Sequence, residues 1–163
     1  MSDHKVRFYG YVERPYGQVS ALLREQPLEL LQRATHSAST RARALVANLR
    51  VNVGAVEVAV DVRTHIDRVA EEEGVAGMSP ITSLEFGWEA ARAPGFFPLM
   101  KARLSAWPLT STETQLQLEG DYAPPLGPLG VAIDTVVGHR IAEASVERLL
   151  QDVIEQIRRE PRG

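Results

Sequence analysis

The stretch Tyr122–Gly130, YAPPLGPLG, decides the fold, because it separates a strand pattern from a long helical pattern. Pro124 and Pro125 cannot donate to a strand ladder, so they end it. Gly127 and Gly130 allow tight backbone turns that a Cβ would hinder. We therefore expect the chain to leave a sheet here and to turn so that a long helix lies back across it.

Upstream of this stretch, three segments alternate between apolar and polar residues, as half-buried strands do. They are ITSLEFGWEAA (81–91), LMKARLSAWPL (99–109) and TQLQLEGDY (114–122), and the short segments RAPGFFP and TSTE join them. The pattern predicts an antiparallel meander. One face of this meander carries the residues that we consider candidates for a binding surface: Leu84, Phe86, Trp88, Met100, Leu104, Leu118 and Tyr122.

The first half of the chain predicts a strand, two short helices and further strands. VRFYGYV (6–12) is rich in β-branched and aromatic residues, and Pro15 and Pro27 each precede a short helical pattern. Residues 45–63 are β-rich, with a turn or bulge expected at Asn52–Ala55. RVAEEEGVAGMSP (68–80) breaks the strand pattern, so we expect a connection there.

The last segment predicts one long helix from Leu126 to Arg159. At a rise of 1.5 Å per residue, its roughly 30 residues would extend about 45 Å. The positions expected to face the sheet are its apolar ones, which include Ile133, Val137, Ile141, Leu149, Val153 and Ile157. Strands grouped apart from the helices predict an α+β fold with an antiparallel sheet.

Composition excludes several classes of protein. The 163-residue chain has no Cys, which excludes disulfides and Cys-ligated metal sites, and its net charge of −3 does not suit a nucleic-acid binder. No apolar run approaches the roughly 20 residues that span a bilayer, and no signal peptide is recognisable. We expect one domain over residues 1–163, cytoplasmic and without a cofactor.

Motifs for catalysis are also missing from the sequence. The four histidines have no metal-ligand spacing, and no GxSxG, GxGxxG or P-loop motif occurs. The strand carboxylates Glu57, Asp61, Glu85 and Glu89 lie opposite the apolar faces, where solvent would keep them ionised. We therefore predict no catalytic residue and no metal site.

Two segments resemble a known family. LEGDYAPPLGPLG (118–130), followed by DTVVGHRIAEASVERLLQDV (134–153), resembles the C-terminal half of bacterial START-like proteins, the SRPBCC superfamily of polyketide cyclase/dehydrase and lipid-transport type. Residues 84–109 are similar to the preceding meander of some members. The resemblance implies a helix-grip fold, in which a curved antiparallel sheet wraps around the long C-terminal helix and encloses a hydrophobic cavity. It implies no shared catalytic residue.

These observations together predict binding of a hydrophobic small molecule, a lipid or a polyketide-like compound, without catalysis. The cavity would lie between the meander face and Ile133, Val137 and Arg140 of the helix. Arg140 would either meet an anionic ligand group or pair with Glu143 at the surface. Two alternatives stay open: an aromatic polyketide cyclase or dehydratase, and a protein-interaction module like the chaperone activators. The sequence does not indicate the ligand or the oligomeric state.

Overall fold

The computed structural model describes residues 4–34, 62–90, 100–122 and 135–161. At some positions in these ranges, including Trp88, Met100, Tyr122 and most of residues 135–145, it describes the backbone alone. The predicted bulge at Asn52–Ala55, the RAPGFFP turn and the strand carboxylates Glu57 and Asp61 lie outside the described residues, as does the predicted helix start at Leu126.

The order of the elements follows the prediction. The elements are β1 (His4–Val12), α1 (Tyr16–Glu25), α2 (27–34), β2 (Val62–Glu72), β3 (Ile81–Ala90), β4 (Met100–Pro108), β5 (Thr114–Tyr122) and α3 (Thr135–Arg159). The N-terminal strand, the two short helices, the meander and the end of the long helix at Arg159 are confirmed. No helix in these described ranges is long and apolar enough to cross a membrane.

The described strands form one antiparallel sheet in the order β1-β5-β4-β3-β2. Because strand side chains alternate between faces, the even-numbered residues of β3, β4 and β5 share one face, which we call the inner face. Leu84, Leu104 and Leu118 lie side by side on this face and are buried. The predicted α+β class with an antiparallel sheet is confirmed.

The prediction for residues 68–80 was wrong for residues 68–72, because β2 continues through Arg68 to Glu72, while residues 73–80 form the expected connection. The cause is a bulge: Ile66 pairs with Phe86, while Arg68 already pairs with Glu85. Asp67 is therefore an extra residue, and the alternation of β2 reverses after it. A period-2 pattern cannot survive this reversal, so alternation along the sequence did not reveal the strand.

The helices cover the inner face from two directions. One side of α3 is buried along its second half, through the apolar residues Val146, Leu149, Leu150, Val153, Ile154 and Ile157. The first two helices bury Val19, Leu23, Leu30, Leu31 and Ala34 in the same core. The predicted inward positions Leu149, Val153 and Ile157 are confirmed.

Two sites of contact fix the direction of α3 relative to β1. A Cβ at Gly10 would meet Ile154 and Leu150 of α3. Further along, the buried Arg14 donates from Nη2 to the carbonyl oxygens of Arg158 at 2.8 Å and Glu160 at 2.5 Å. Both elements therefore run in the same direction, and the first half of α3 lies toward the His4 end of β1.

Candidate ligand-binding site

The strand register divides the inner face into transverse rows. Leu84, Leu104 and Leu118 pair with one another and form the Leu row, which Phe8 extends on β1. Two residues along each strand, Phe86, Ala102 and Gly120 form the Ala–Gly row. Trp88, Met100 and Tyr122 form the next row, the Trp row. Successive rows are about 7 Å apart, because each is two strand residues from the last.

The Leu row belongs to the packed core. The exposure of Leu84, Leu104 and Leu118 does not exceed 1%. Three large side chains on neighbouring strands fill the inner face at this level. The predicted candidates Leu84, Leu104 and Leu118 therefore mark the closed end of the candidate site.

The Ala–Gly row carries much less side chain than the Leu row. Ala102 and Gly120 are directly paired in the middle of the sheet, between the large side chains of Phe86 and Val6. Ala102 is 7% exposed, whereas Ala106, four residues along the same face of β4, is 0% exposed. The side chains in the middle of the inner face are therefore smaller in this row than in the Leu row, and we call this stretch of small side chains the indentation.

The Trp row brings three of the predicted candidates onto adjacent strands. Trp88 pairs with Met100, and Met100 pairs with Tyr122, so neighbouring Cα atoms are separated by roughly the 4.8 Å between strands. The backbone register places all three residues on the inner face. Their side chains lie outside the described residues, and their role in lining a cavity stays a prediction.

The helical candidates are described only in part. Val137 and Arg140 lie in α3, 13 and 10 residues before Leu150, or about 15–20 Å along the helix. His4 lies six residues before Gly10, about 20 Å along β1. The helix segment that carries Val137 and Arg140 therefore extends toward the end of β1 that belongs to the Trp row. Ile133 lies outside the described residues, and the side chains of Val137 and Arg140 are not described, so their predicted role is untested.

The opposite face of the sheet is charged. Arg103 donates to Glu85 at 2.5 Å from Nη2, and Arg7 donates to Glu119 at 2.9 Å. Hydrogen bonding to the Glu119 carboxylate is the main reason that the pKa of Arg7 is raised. The predicted position of Glu85 on the solvent side is confirmed, while the side chain of Glu89 is outside the described residues.

The C-terminal end of α3 forms an ion pair far from the Trp row. Glu13 accepts a hydrogen bond from Nε of Arg158 at 3.1 Å. The pKa of the Glu13 carboxyl is lowered, chiefly by a hydrogen bond with its own backbone and then by Arg158. Among the described residues, no group of three His, Asp or Glu side chains is placed to hold a metal ion.

A polar network that the sequence did not reveal links α1 to the sheet. Thr82 Oγ1 is 2.8 Å from the Tyr16 hydroxyl and 2.7 Å from Ser20 Oγ, and Ser20 Oγ donates to Glu71 at 3.4 Å. Thr82 and Ser20 are both buried. Isolated hydroxyl residues give no sequence signal of their partners, and Glu71 fell in the segment that was not predicted to be a strand.

Comparison with known proteins finds similarity in structure but none in sequence. No protein-family model matches the sequence, and no curated protein is significantly similar to it. In structure, the chain is similar to TTHA0849 from Thermus thermophilus, with a TM-score of 0.50 and 16% identity over 94% of this chain and 96% of that chain. The chain has the START-like helix-grip fold.

Two further structures are similar at lower TM-scores. The Zhui aromatase/cyclase from Streptomyces sp. R1128 gives a TM-score of 0.45 at 15% identity, over 98% of this chain and 96% of that chain. Protein MLL2253 from Mesorhizobium loti gives 0.46 at 14% identity, over 97% and 99%. Similarities at this level show nothing about activity.

Proposed function

We propose that this START-like chain, as a single domain over residues 1–163, binds an apolar small molecule such as a lipid or a polyketide-like compound and does not transform it. The ligand would lie between the Trp row and the first half of α3. The observation that carries the proposal is the indentation at Ala102 and Gly120, directly beside the Trp row.

The size of the side chains supports this position for the ligand. At the Leu row, leucines fill the inner face and are fully buried. At the Ala–Gly row, the side chain of Ala102 is a single methyl group and Gly120 has no side chain. These two residues lie on the same strands as Leu104 and Leu118. Protein interiors are close-packed, so a local lack of side-chain volume is either filled by a neighbouring element or left as a cavity.

The residues beside this indentation suit an apolar ligand. Phe86 is buried in the Ala–Gly row, and the Trp row adds two aromatic residues and a methionine. Burial of apolar ligand surface would contribute about 25 cal/mol per Å² before the costs of association. In this proposal the site comprises the meander candidates named above together with Ile133, Val137 and Arg140 of the C-terminal segment.

Displacement of a fluorescent probe tests the proposal. N-phenyl-1-naphthylamine, which fluoresces more strongly in apolar surroundings, should bind to the protein, and oleate should displace it. Ala102→Leu should reduce probe affinity at least tenfold while the protein stays folded by circular dichroism. Leu28→Ala, which changes an exposed apolar residue on α2, should leave probe affinity unchanged. Equal probe binding by the wild type and Ala102→Leu would contradict the proposed site.

A further inference from the structure

The outer face of the sheet, formed by the odd-numbered residues of β1, β3, β4 and β5, carries its charges in columns along the strands. The described charged side chains of β1 and β4 on this face are basic: Lys5, Arg7, Lys101 and Arg103. Those of β5 and β3 are acidic: Glu119, Asp121 and Glu85. Because these strands lie in the order β1-β5-β4-β3, the sign of the charge alternates from strand to strand and stays the same along each strand.

The arginines and glutamates of these columns can reach a second molecule. Arg7 donates to Glu119 at 2.9 Å. Arg103 donates to Glu85 at 2.5 Å. More than half of each arginine side chain is nevertheless exposed. An ionised carboxylate has about four acceptor sites and a guanidinium has five N–H donors, so both kinds of group keep the capacity to bind another molecule.

The column pattern is complementary to itself under a twofold rotation. An axis that runs along the strands between β5 and β4 turns a second copy over and reverses its strand order. In this arrangement β1 faces β3 of the second copy and β5 faces its β4, so each basic column lies against an acidic one. An axis across the strands would instead place each column against itself, with like charges in contact. Charge complementarity therefore favours a dimer axis along the strands.

Two tyrosines on β1 distinguish this axis from the neighbouring ones. Tyr9 and Tyr11 lie on the outer face and are 55% and 51% exposed. With the axis between β5 and β4, they lie against β3 of the second copy, which carries Ile81 and Ser83 on this face. An axis between β4 and β3 would leave β1 outside the overlap of the described strands. An axis between β1 and β5 would overlap only these two of the described strands, so the axis between β5 and β4 buries the most surface.

We propose that a second copy of this chain binds to the outer face in this way and forms a symmetric dimer. Arg7 of one copy pairs with Glu85 of the other, and each such contact occurs twice by symmetry. The four strands measure about 19 Å by 30 Å, or about 600 Å² on each copy. A total near 1,200 Å² is at the lower limit for specific interfaces. An axis along the strands also keeps the two sheets aligned, as in other face-to-face sheet packings.

Charge reversal combined with mixing of the variants tests the dimer. Analytical ultracentrifugation of the wild type should show a dimer with a dissociation constant of micromolar order. Arg103→Glu and Glu119→Arg each bring like charges together twice, so each should weaken dimerisation more than tenfold. An equimolar mixture of the two variants should dimerise like the wild type, because both contacts between positions 103 and 119 then join unlike charges. The charge contacts within each copy are the same alone and mixed, so this recovery can come only from contact between copies.

Arg24→Glu and Glu147→Arg are the matched controls, since they make the same changes of charge at exposed positions of α1 and α3 and should leave the dimer unchanged. Circular dichroism checks that each variant is folded. If Arg103→Glu does not fold, a mixture of Arg7→Glu and Glu85→Arg tests the same interface. A wild type that stays monomeric at millimolar concentration, charge-reversed variants that dimerise like the wild type, or mixtures that stay monomeric would overturn the proposal.

Discussion

The Cδ1 atom of Ile154 occupies the space that a side chain at Gly10 would need, and Leu150 Cδ2 lies 3.7 Å from the same point. This close approach sets how α3 lies on β1. Because the helix is continuous to Thr135, the Gly10 contact also sets the height of its first half above the Trp row. The proposed binding site thus depends on a contact at Gly10, and this contact meets α3 at Leu150, ten residues after Arg140 and thirteen after Val137.

Gly10→Ala should destabilise the protein by about 1–2 kcal/mol, since overpacking displaces the end of a buried isoleucine. Ile154→Val removes the Cδ1 atom that the new methyl group would meet. The cost of Gly10→Ala should therefore fall by at least half in the Ile154→Val background, which a double-mutant cycle of urea unfolding measures. Additive effects of the two substitutions would show that the contact is not tight.

Ala102 and Ala106 provide a matched pair for detecting the indentation, because both lie on the inner face of β4. Ala106→Leu should destabilise the protein by about 1–3 kcal/mol, because Ala106 is fully buried and a larger side chain would overpack the core. Ala102→Leu should cost less than about 1 kcal/mol because it extends into the proposed cavity. Thermal and urea unfolding of the two variants provide the comparison, and an equal cost for both would argue for a filled core at Ala102.

Arg14 holds the end of α3 to the turn after β1. Its substitution by Ala should destabilise the protein by about 2–4 kcal/mol, because two carbonyl groups lose a charged donor and packing is lost with the side chain. Amide exchange should rise in the last two turns of α3. Arg24→Ala, which removes only the exposed pair with Glu71 at 3.4 Å, is the control and should cost at most about 1 kcal/mol.

Thr82→Val tests the buried network that joins α1 to β3. The substitution keeps the shape but removes the hydroxyl group that the Tyr16 and Ser20 hydroxyls contact. We expect a loss of about 1–3 kcal/mol in the free energy of unfolding, since a buried polar group loses its partner. The exposed Thr112 offers a control, and Thr112→Val should change stability by less than about 0.5 kcal/mol. Equal losses of stability in Thr82→Val and Thr112→Val would show that the network contributes nothing to the free energy of unfolding.

Much of the architecture follows from local patterns. Alternation specified β3, β4 and β5 and their inner face, and Pro15 and Pro27 marked the starts of two short helices. The second half of β2 was not predicted because the extra residue Asp67 reverses its alternation. Period-2 reasoning is reliable only where no bulge interrupts the ladder.

The candidate site was less predictable than the fold. Alternation along each strand predicts which residues lie on the inner face. It does not predict which residues of neighbouring strands lie side by side, so the difference in side-chain size between the Leu row and the Ala–Gly row could not be predicted. On the helix, the apolar pattern predicted that Val137 and Ile141 face the sheet, and the structure describes only the backbone at these positions. The burial of Val146, Leu149 and Leu150 shows which side of the second half of α3 faces the sheet, and the apolar pattern alone did not single out that side.

The most direct test of the proposed binding site is quenching of a single tryptophan by a brominated lipid, since bromine quenches indole fluorescence at contact range. Trp107→Phe leaves Trp88 in the Trp row, whereas Trp88→Phe leaves Trp107, which the register places on the opposite face of the sheet. We predict that 9,10-dibromostearate, but not stearate, quenches Trp88 strongly and leaves Trp107 nearly unaffected. Quenching of Trp107 without Trp88, or of neither, would contradict a ligand site between the Trp row and α3.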